Sequence, residues 1–126
     1  MEKRILGRTG FEVSIVGLGG IPIQNVSKDK AMELLKKCLD MGINFIDTAR
    51  GYNDSETRIG EALEVVGRDK FYIATKSMAR TSEGVLGELA TSMNNLKVDY
   101  IDLFQFHNVS KKKDMDILLG KGGALE

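Results

Sequence analysis

The chain is poor in several residue types that mark whole classes of protein. It has one cysteine, Cys38, so no internal disulfide can form. It has one histidine, His107, and the two together leave too few ligands for a dedicated zinc site. No apolar run approaches the roughly 20 residues that span a bilayer. The N-terminus, MEKRILGRTG, carries no long apolar segment of the secretory kind. Excess charge of either sign is missing too. The 18 basic residues are matched by 18 acidic ones, which argues against nucleic acid or an anionic membrane as the main partner. The one basic run, Lys111 to Lys113, reads as a solvated loop or a helix start. These absences make the cytoplasm the simplest compartment.

What is present is enough for a core, since 42% of the 126 residues are apolar, and the length suits a single domain. The opening residues read as a hairpin, with Arg4 to Leu6 and Phe11 to Val13 flanking the turn "GRTG". Four short apolar stretches follow: "SIVGLGG", "NFIDT", "FYIATK" and "YIDLFQFH". Each is rich in β-branched or aromatic residues and apolar enough to be covered on both faces, as parallel strands are. Between them run helical patterns. Residues 28 to 41 put Ala31, Leu34, Leu35, Cys38 and Leu39 on one face, where Cys38 acts as a small hydrophobe. Ser27 suits the N-cap and Gly42 the C-terminal stop. Residues 56 to 66 align Ile59, Ala62, Leu63 and Val66, with Asp54 or Ser55 before them and Gly67 after. Residues 83 to 96 align Leu86, Leu89, Met93 and Leu96. Gly84 and Gly87 weaken this third helix by about 1 kcal/mol each relative to alanine.

The strands begin near residues 15, 44, 71 and 101, so the steps are 29, 27 and 30 residues. Strand and helix alternating at this interval is the βαβ rhythm, with right-handed crossovers. The doubly wound sheet and the (β/α)8 barrel share it. The glycines of "GLGG" fit the dinucleotide fingerprint of the first poorly, because the last required glycine falls on Pro22. The barrel explains the strand ends better. Asp47, Lys76 and His107 close three strands with groups that make little sense as packing, and Gly19 and Gly20 close the first. Parallel strands bring these ends to one rim, where a barrel builds its active site.

Taken as a set, Asp47, Tyr52, Lys76 and His107 have a definite chemistry. An ammonium and a carboxylate sheltered together pair, because an unpaired buried charge is costly. An ammonium beside a phenol favours the phenolate form and makes the phenol a better proton donor. An imidazole orients a substrate oxygen by a hydrogen bond. The set lacks a nucleophile and a metal. It suits polarising and protonating a C=O while another group delivers an electron pair. A metal-dependent hydrolase using Asp47 and His107 fails on ligand count.

At this density of matching motifs the chain resembles the aldo-keto reductases, from the hairpin through the fourth strand. "LGRTGFEVSIVGLGG", "GINFIDTARGY", "IATKS" and "DYIDLFQFHN" carry the likeness. "GGIPIQ", "TKSMART" and "HNVS" resemble a subgroup whose longer members end in an iron–sulfur extension. That likeness bears on ancestry alone, for nothing in this chain binds such a cluster. The family resemblance implies hydride transfer from a nicotinamide cofactor, usually NADPH, to an aldehyde or ketone. Tyr52 would be the general acid, Lys76 would ease its proton release, Asp47 would hold Lys76, and His107 would orient the carbonyl. Gly19, Gly20 and Ile21, together with Asp47, would lie at the nicotinamide end. Arg50, Met78 and Arg80 stand in loops near the rim as substrate contacts.

A complete barrel of this kind takes about 250 residues. Residues 1–126 are therefore expected to form the N-terminal half: four parallel strands, three helices and a hairpin, breaking off near the start of a fourth helix at "GKGGALE". Open strand edges and an uncovered inner face imply self-association. They also imply little turnover by the isolated half. A non-catalytic scaffold or interaction module that keeps the fold is the alternative reading.

Overall fold

The computed structural model describes residues 1–126. A two-stranded antiparallel hairpin opens the chain, β1 (Lys3–Ile5) against β2 (Glu12–Ser14). Its turn is built on Gly7 and Gly10, both at positive φ, 52° and 77°. Each hairpin strand sits one residue from the predicted place.

The main sheet has four parallel strands in chain order: β3 (Leu18–Gly19), β4 (Phe45–Asp47), β5 (Tyr72–Ser77) and β6 (Leu103–Phe106). Helices α1 (Lys28–Asp40), α2 (Ser55–Val66) and α3 (Ser82–Leu96) cross over between them. Adjacent strands pairing in sequence order, each linked by a helix, is the arrangement of a barrel wall. The chain is part of a (β/α)8 barrel with a hairpin at its start. No helix is long and apolar enough to cross a membrane.

The helices form where the 3.6-residue pattern places them, and their starts are capped. The Ser27 hydroxyl accepts from the Lys30 amide, and the Thr81 hydroxyl from the Gly84 amide. Asp54 precedes α2 without capping it. Its carboxylate instead accepts from the Asn25 amide at 2.8 Å and from Arg58 Nε at 2.9 Å. The α2 helix stops at Gly67, whose φ of 104° suits glycine.

Alternation along the strands separates two faces. Ile46 and Ile73 point outward into a core with Ala31, Leu35, Ile59, Ala62 and Leu96 from the helices. Cys38 joins that core as a buried free thiol. Gly60 lets α2 and α3 close on each other, since a β-carbon there would lie 2.3 Å from the Asn95 carbonyl oxygen. The other face carries Phe45, Asp47, Tyr72, Lys76, Leu103 and Gln105, all half-buried.

The helix count departs from expectation. There are four helices, and the fourth, α4 (Lys112–Leu119), begins inside the basic run and precedes "GKGGALE", which forms turns. Lys112 reaches Asp116 one turn on, with both carboxylate oxygens at 2.8 Å, while Leu118 is buried. This exposed pairing at i,i+4 adds about 0.2–0.5 kcal/mol to a helix that also carries Met115, Ile117, Leu118 and Leu119. The tail then folds back on α3, where Ser82 donates to the Gly123 carbonyl at 2.9 Å.

Candidate active site

The carboxyl ends of the four strands meet at one rim. Register sets the arrangement: Gly19 pairs with Asp47, Asp47 with Ala74, and Lys76 with Gln105. His107 follows β6 directly, and its amide donates to the Ser77 carbonyl at 2.8 Å.

Beyond Asp47 the chain keeps step with β5 before it turns. The Thr48 amide donates to the Ala74 carbonyl and the Arg50 amide to the Lys76 carbonyl, each at 2.9 Å. The Tyr52 amide then bonds the Ala49 carbonyl at 3.0 Å, and the Ser55 amide the Tyr52 carbonyl at 2.8 Å. Asn53, at φ 40°, supplies the left-handed residue in this turn. Tyr52 is thereby folded back over the rim.

Lys76 Nζ donates to Asp47 Oδ2 at 2.6 Å and to the Thr48 carbonyl at 2.9 Å. It lies 5.5 Å from the centroid of the Tyr52 ring. The Tyr52 and His107 rings meet edge to face, with centroids 5.4 Å apart and planes at 86°. Gln105 Nε2 donates to the second Asp47 oxygen at 3.3 Å. The Lys76 side chain is 16% exposed and that of Asp47 40%, so the pair opens onto the space at the rim. His107 Nδ1 is buried without a partner. A proton there would strand a buried N–H, which favours the tautomer that carries the proton on Nε2.

The first strand end is shaped by close approach. A β-carbon on Gly20 would lie 2.6 Å from Thr48 Oγ1 and 2.8 Å from Ser55 Oγ. Those two hydroxyls are 3.0 Å apart, and Ser55 donates to the Gly20 carbonyl at 2.8 Å. Gly19 is the opposite case, with nothing within 4 Å of the place its β-carbon would take. Gly19 and Asp47 also edge a cleft of about 550 Å³ that is lined mostly by the hairpin, through Arg4, Ile5, Leu6 and Val13. Ile21 is exposed, at the start of a short 3-10 turn.

Of the loop residues expected near substrate, Met78 is exposed. Arg50 is 3.7 Å from buried Glu56. The Arg80 guanidinium donates to the carbonyls of Met78, Ala79 and His107, the last at 2.7 Å, and so ties the loop after β5 to the loop after β6.

Three contributors escaped the sequence reading. Gln105 was within reach of it, since it alternates with Leu103 and His107 along one strand. Glu56 and Glu88 were not. Glu88 accepts from the Met78 amide at 2.8 Å and the Ala79 amide at 3.3 Å, and it also bonds the Ser77 hydroxyl. Burial pushes its carboxyl up, but the bonds from Ser77, Ala79 and Met78, with the charge of Arg50, hold it below the usual value.

A parallel strand-and-helix wall with an acid, a phenol, an ammonium and an imidazole at its carboxyl rim is part of a (β/α)8 barrel. The sequence profile of the aldo/keto reductase family matches residues 15–121. The chain belongs to that family. It is 32% identical over 130 residues to the uncharacterized oxidoreductase YqkF of Bacillus subtilis, covering 92% of this chain and 42% of that protein. Among solved structures it is similar to the holo form of aldo-keto reductase AKR11C1 from Bacillus halodurans, with a TM-score of 0.78 and 28% identity over 98% of this chain and 48% of that one. It is also similar to the Bombyx mori aldo-keto reductase AKR2E4 in complex with NADP, with a TM-score of 0.65 and 26% identity over 82% of this chain and 37% of that one. The chain thus spans about half the length, or less, of the relatives it matches.

Proposed function

We propose that this chain carries the proton-donating half of a nicotinamide-dependent reductase of aldehydes and ketones. The observation that carries the reading is the position of Lys76 Nζ, held by Asp47 at 2.6 Å and set beside the Tyr52 ring. In the proposed reaction that cation is brought to the phenol oxygen and stabilises negative charge on it, so that Tyr52 gives its proton to a carbonyl oxygen as that oxygen gains charge. Asp47 keeps Lys76 from swinging away, and Gln105 keeps Asp47. His107 donates from Nε2 to the same carbonyl oxygen and orients it. The cofactor, NADPH by family likeness, supplies the hydride when bound. Gly19, Gly20, Ile21 and Asp47 would receive its nicotinamide end, where the open space at Gly19 admits a flat ring.

A substrate small enough for this rim is a simple carbonyl compound. The single thiol, Cys38, is buried and unpaired, which suits the reducing cytoplasm. Four strands are half of a closed barrel, so these residues taken alone should bind NADPH weakly and turn over slowly or not at all.

NADPH titration tests the reading directly. Saturable binding, weakened when Gly19 is changed to valine, supports it. NADPH oxidation driven by a simple aldehyde and lost in Tyr52→Phe would fix the role of the phenol. Absence of NADPH binding overturns the reading for this chain.

A second reading has its own observation. Strands β3 and β6 each have an unpaired edge, and Phe45, Tyr72 and Leu103 leave the inner face half open. Such an edge pairs readily with another strand, so the chain would act as a self-associating scaffold without chemistry. Stable oligomers in sedimentation, combined with no response to NADPH, favour this alternative. A monomer at all concentrations removes it.

A further inference from the structure

Glu56 is the one ionisable residue among the fully buried side chains, at 1% exposure. It stands in the first turn of α2, where the helix dipole favours a carboxylate. Three separate elements converge on it. Thr75, the residue before Lys76 in β5, donates to Oε1 at 2.7 Å. Asn95 of α3 donates to Oε2 at 3.2 Å. Arg50, from the turn between Asp47 and Tyr52, brings Nη1 within 3.7 Å of Oε2.

Two of these partners are neutral donors, and the single oxygen of a glutamine would still accept from one of them. Arg50 is the charged one. Arg50 is held twice, since its amide also donates to the Lys76 carbonyl at 2.9 Å. Its positive charge also helps to lower the Glu88 carboxyl of α3. Two residues further on is Tyr52.

We propose that Glu56 is a positioning residue: its buried charge grips Arg50 and so locks the Tyr52 turn against β5, at a fixed distance from Lys76. The functional meaning rests on the reading of Tyr52 as proton donor. The mechanical claim does not, and the two fail separately.

Amide hydrogen exchange followed by NMR on the full chain tests it. In Glu56→Gln, exchange at the Arg50 and Tyr52 amides should rise about tenfold through local opening. The amides of Leu35 and Ile73 in the core should keep the wild-type rate. Arg50→Met should reproduce the pattern, and the double variant should exchange no faster than either single one, as expected of two residues acting through one contact. Arg50→Lys, which keeps a cation, should recover most of the lost protection.

Unchanged exchange at Arg50 and Tyr52 overturns the proposal. So does uniform acceleration of all amides, which would make Glu56 a support of the whole fold. Arg50→Lys behaving like Arg50→Met overturns it too, because the charge would then be irrelevant. If Glu56→Gln does not fold, the two Arg50 variants decide alone, since that side chain is a third exposed. Loss of the NADPH reading with local acceleration intact would leave the lock standing and remove only its purpose.

Discussion

The sheet carries one ion pair at each end, and the two are built to opposite specifications. At the amino end, Arg68 Nη2 meets Asp102 Oδ2 at 2.7 Å, with side chains 18% and 10% exposed. The same carboxylate oxygen accepts the Ile73 amide at 2.8 Å. Arg68 also donates to the carbonyls of Phe71 and Tyr100, and its guanidinium lies 4.1 Å from the centre of the Tyr100 ring. The Arg68–Asp102 pair is closed in on itself and fastens β5, β6 and the turn after α2. At the carboxyl end, Lys76 and Asp47 are as close, yet Asp47 is 40% exposed and Lys76 faces a phenol. One pair holds the wall together; the other holds a charge where a ligand can use it.

The largest test of that contrast is Asp102→Ala. It leaves a buried guanidinium without its counter-charge and should lower stability by about 3–5 kcal/mol, read by urea unfolding. Asp47→Ala should cost less, about 1–3 kcal/mol: Lys76 is as sheltered as Arg68, but the lost carboxylate is 40% exposed and the Thr48 carbonyl still accepts from Nζ. Equal losses would break the comparison and make the upper pair structural.

The glycines sharpen the same point at smaller scale. Gly20→Ala forces a β-carbon onto Thr48 and Ser55 and should destabilise by about 1–3 kcal/mol. Gly19→Ala meets open space and should leave the unfolding midpoint within about 0.5 kcal/mol of wild type, while weakening NADPH binding in titration.

The smallest expected effect is on acid stability. The Glu88 carboxyl lies below its ordinary value of 4.5 in the folded chain. A depressed carboxyl contributes stability that is present above the unfolded value and disappears as pH falls through the folded one. Wild type should therefore lose stability below about pH 4.5. Glu88→Gln, measured by urea midpoints across that range, should show a shallower loss. An identical slope would mean that the Ser77 and amide bonds hold the carboxyl no better than water does.

Much of the wall was readable before any coordinates. Short apolar runs and helices of period 3.6 depend on neighbours a few residues away, so α1, α2, α3 and the four strands emerge from apolar spacing alone. Caps at Ser27 and Thr81 are equally local, though Thr81 went unnoticed. The α4 helix escaped the pattern because it is short, starts in the basic run and buries only Leu118. The candidate site was legible through motif spacing, which brought Asp47, Tyr52, Lys76 and His107 forward as a set. The carbonyls that Arg80 holds were not legible, because a loop arginine reveals nothing of what lies in its reach.

By itself, then, the order of residues determined the strand-and-helix rhythm, the rim and the four groups placed on it. Tertiary structure decided what each group touches: Lys76 finding Asp47 from 29 residues away, Gln105 turned to that same carboxylate, and Glu56 buried beneath the turn that carries Tyr52. The reason is physical. Backbone periodicity is set by sterics and hydrogen bonds between near neighbours. Partnership between distant side chains depends on strand register, and a shift of one residue would send every one of them to the opposite face.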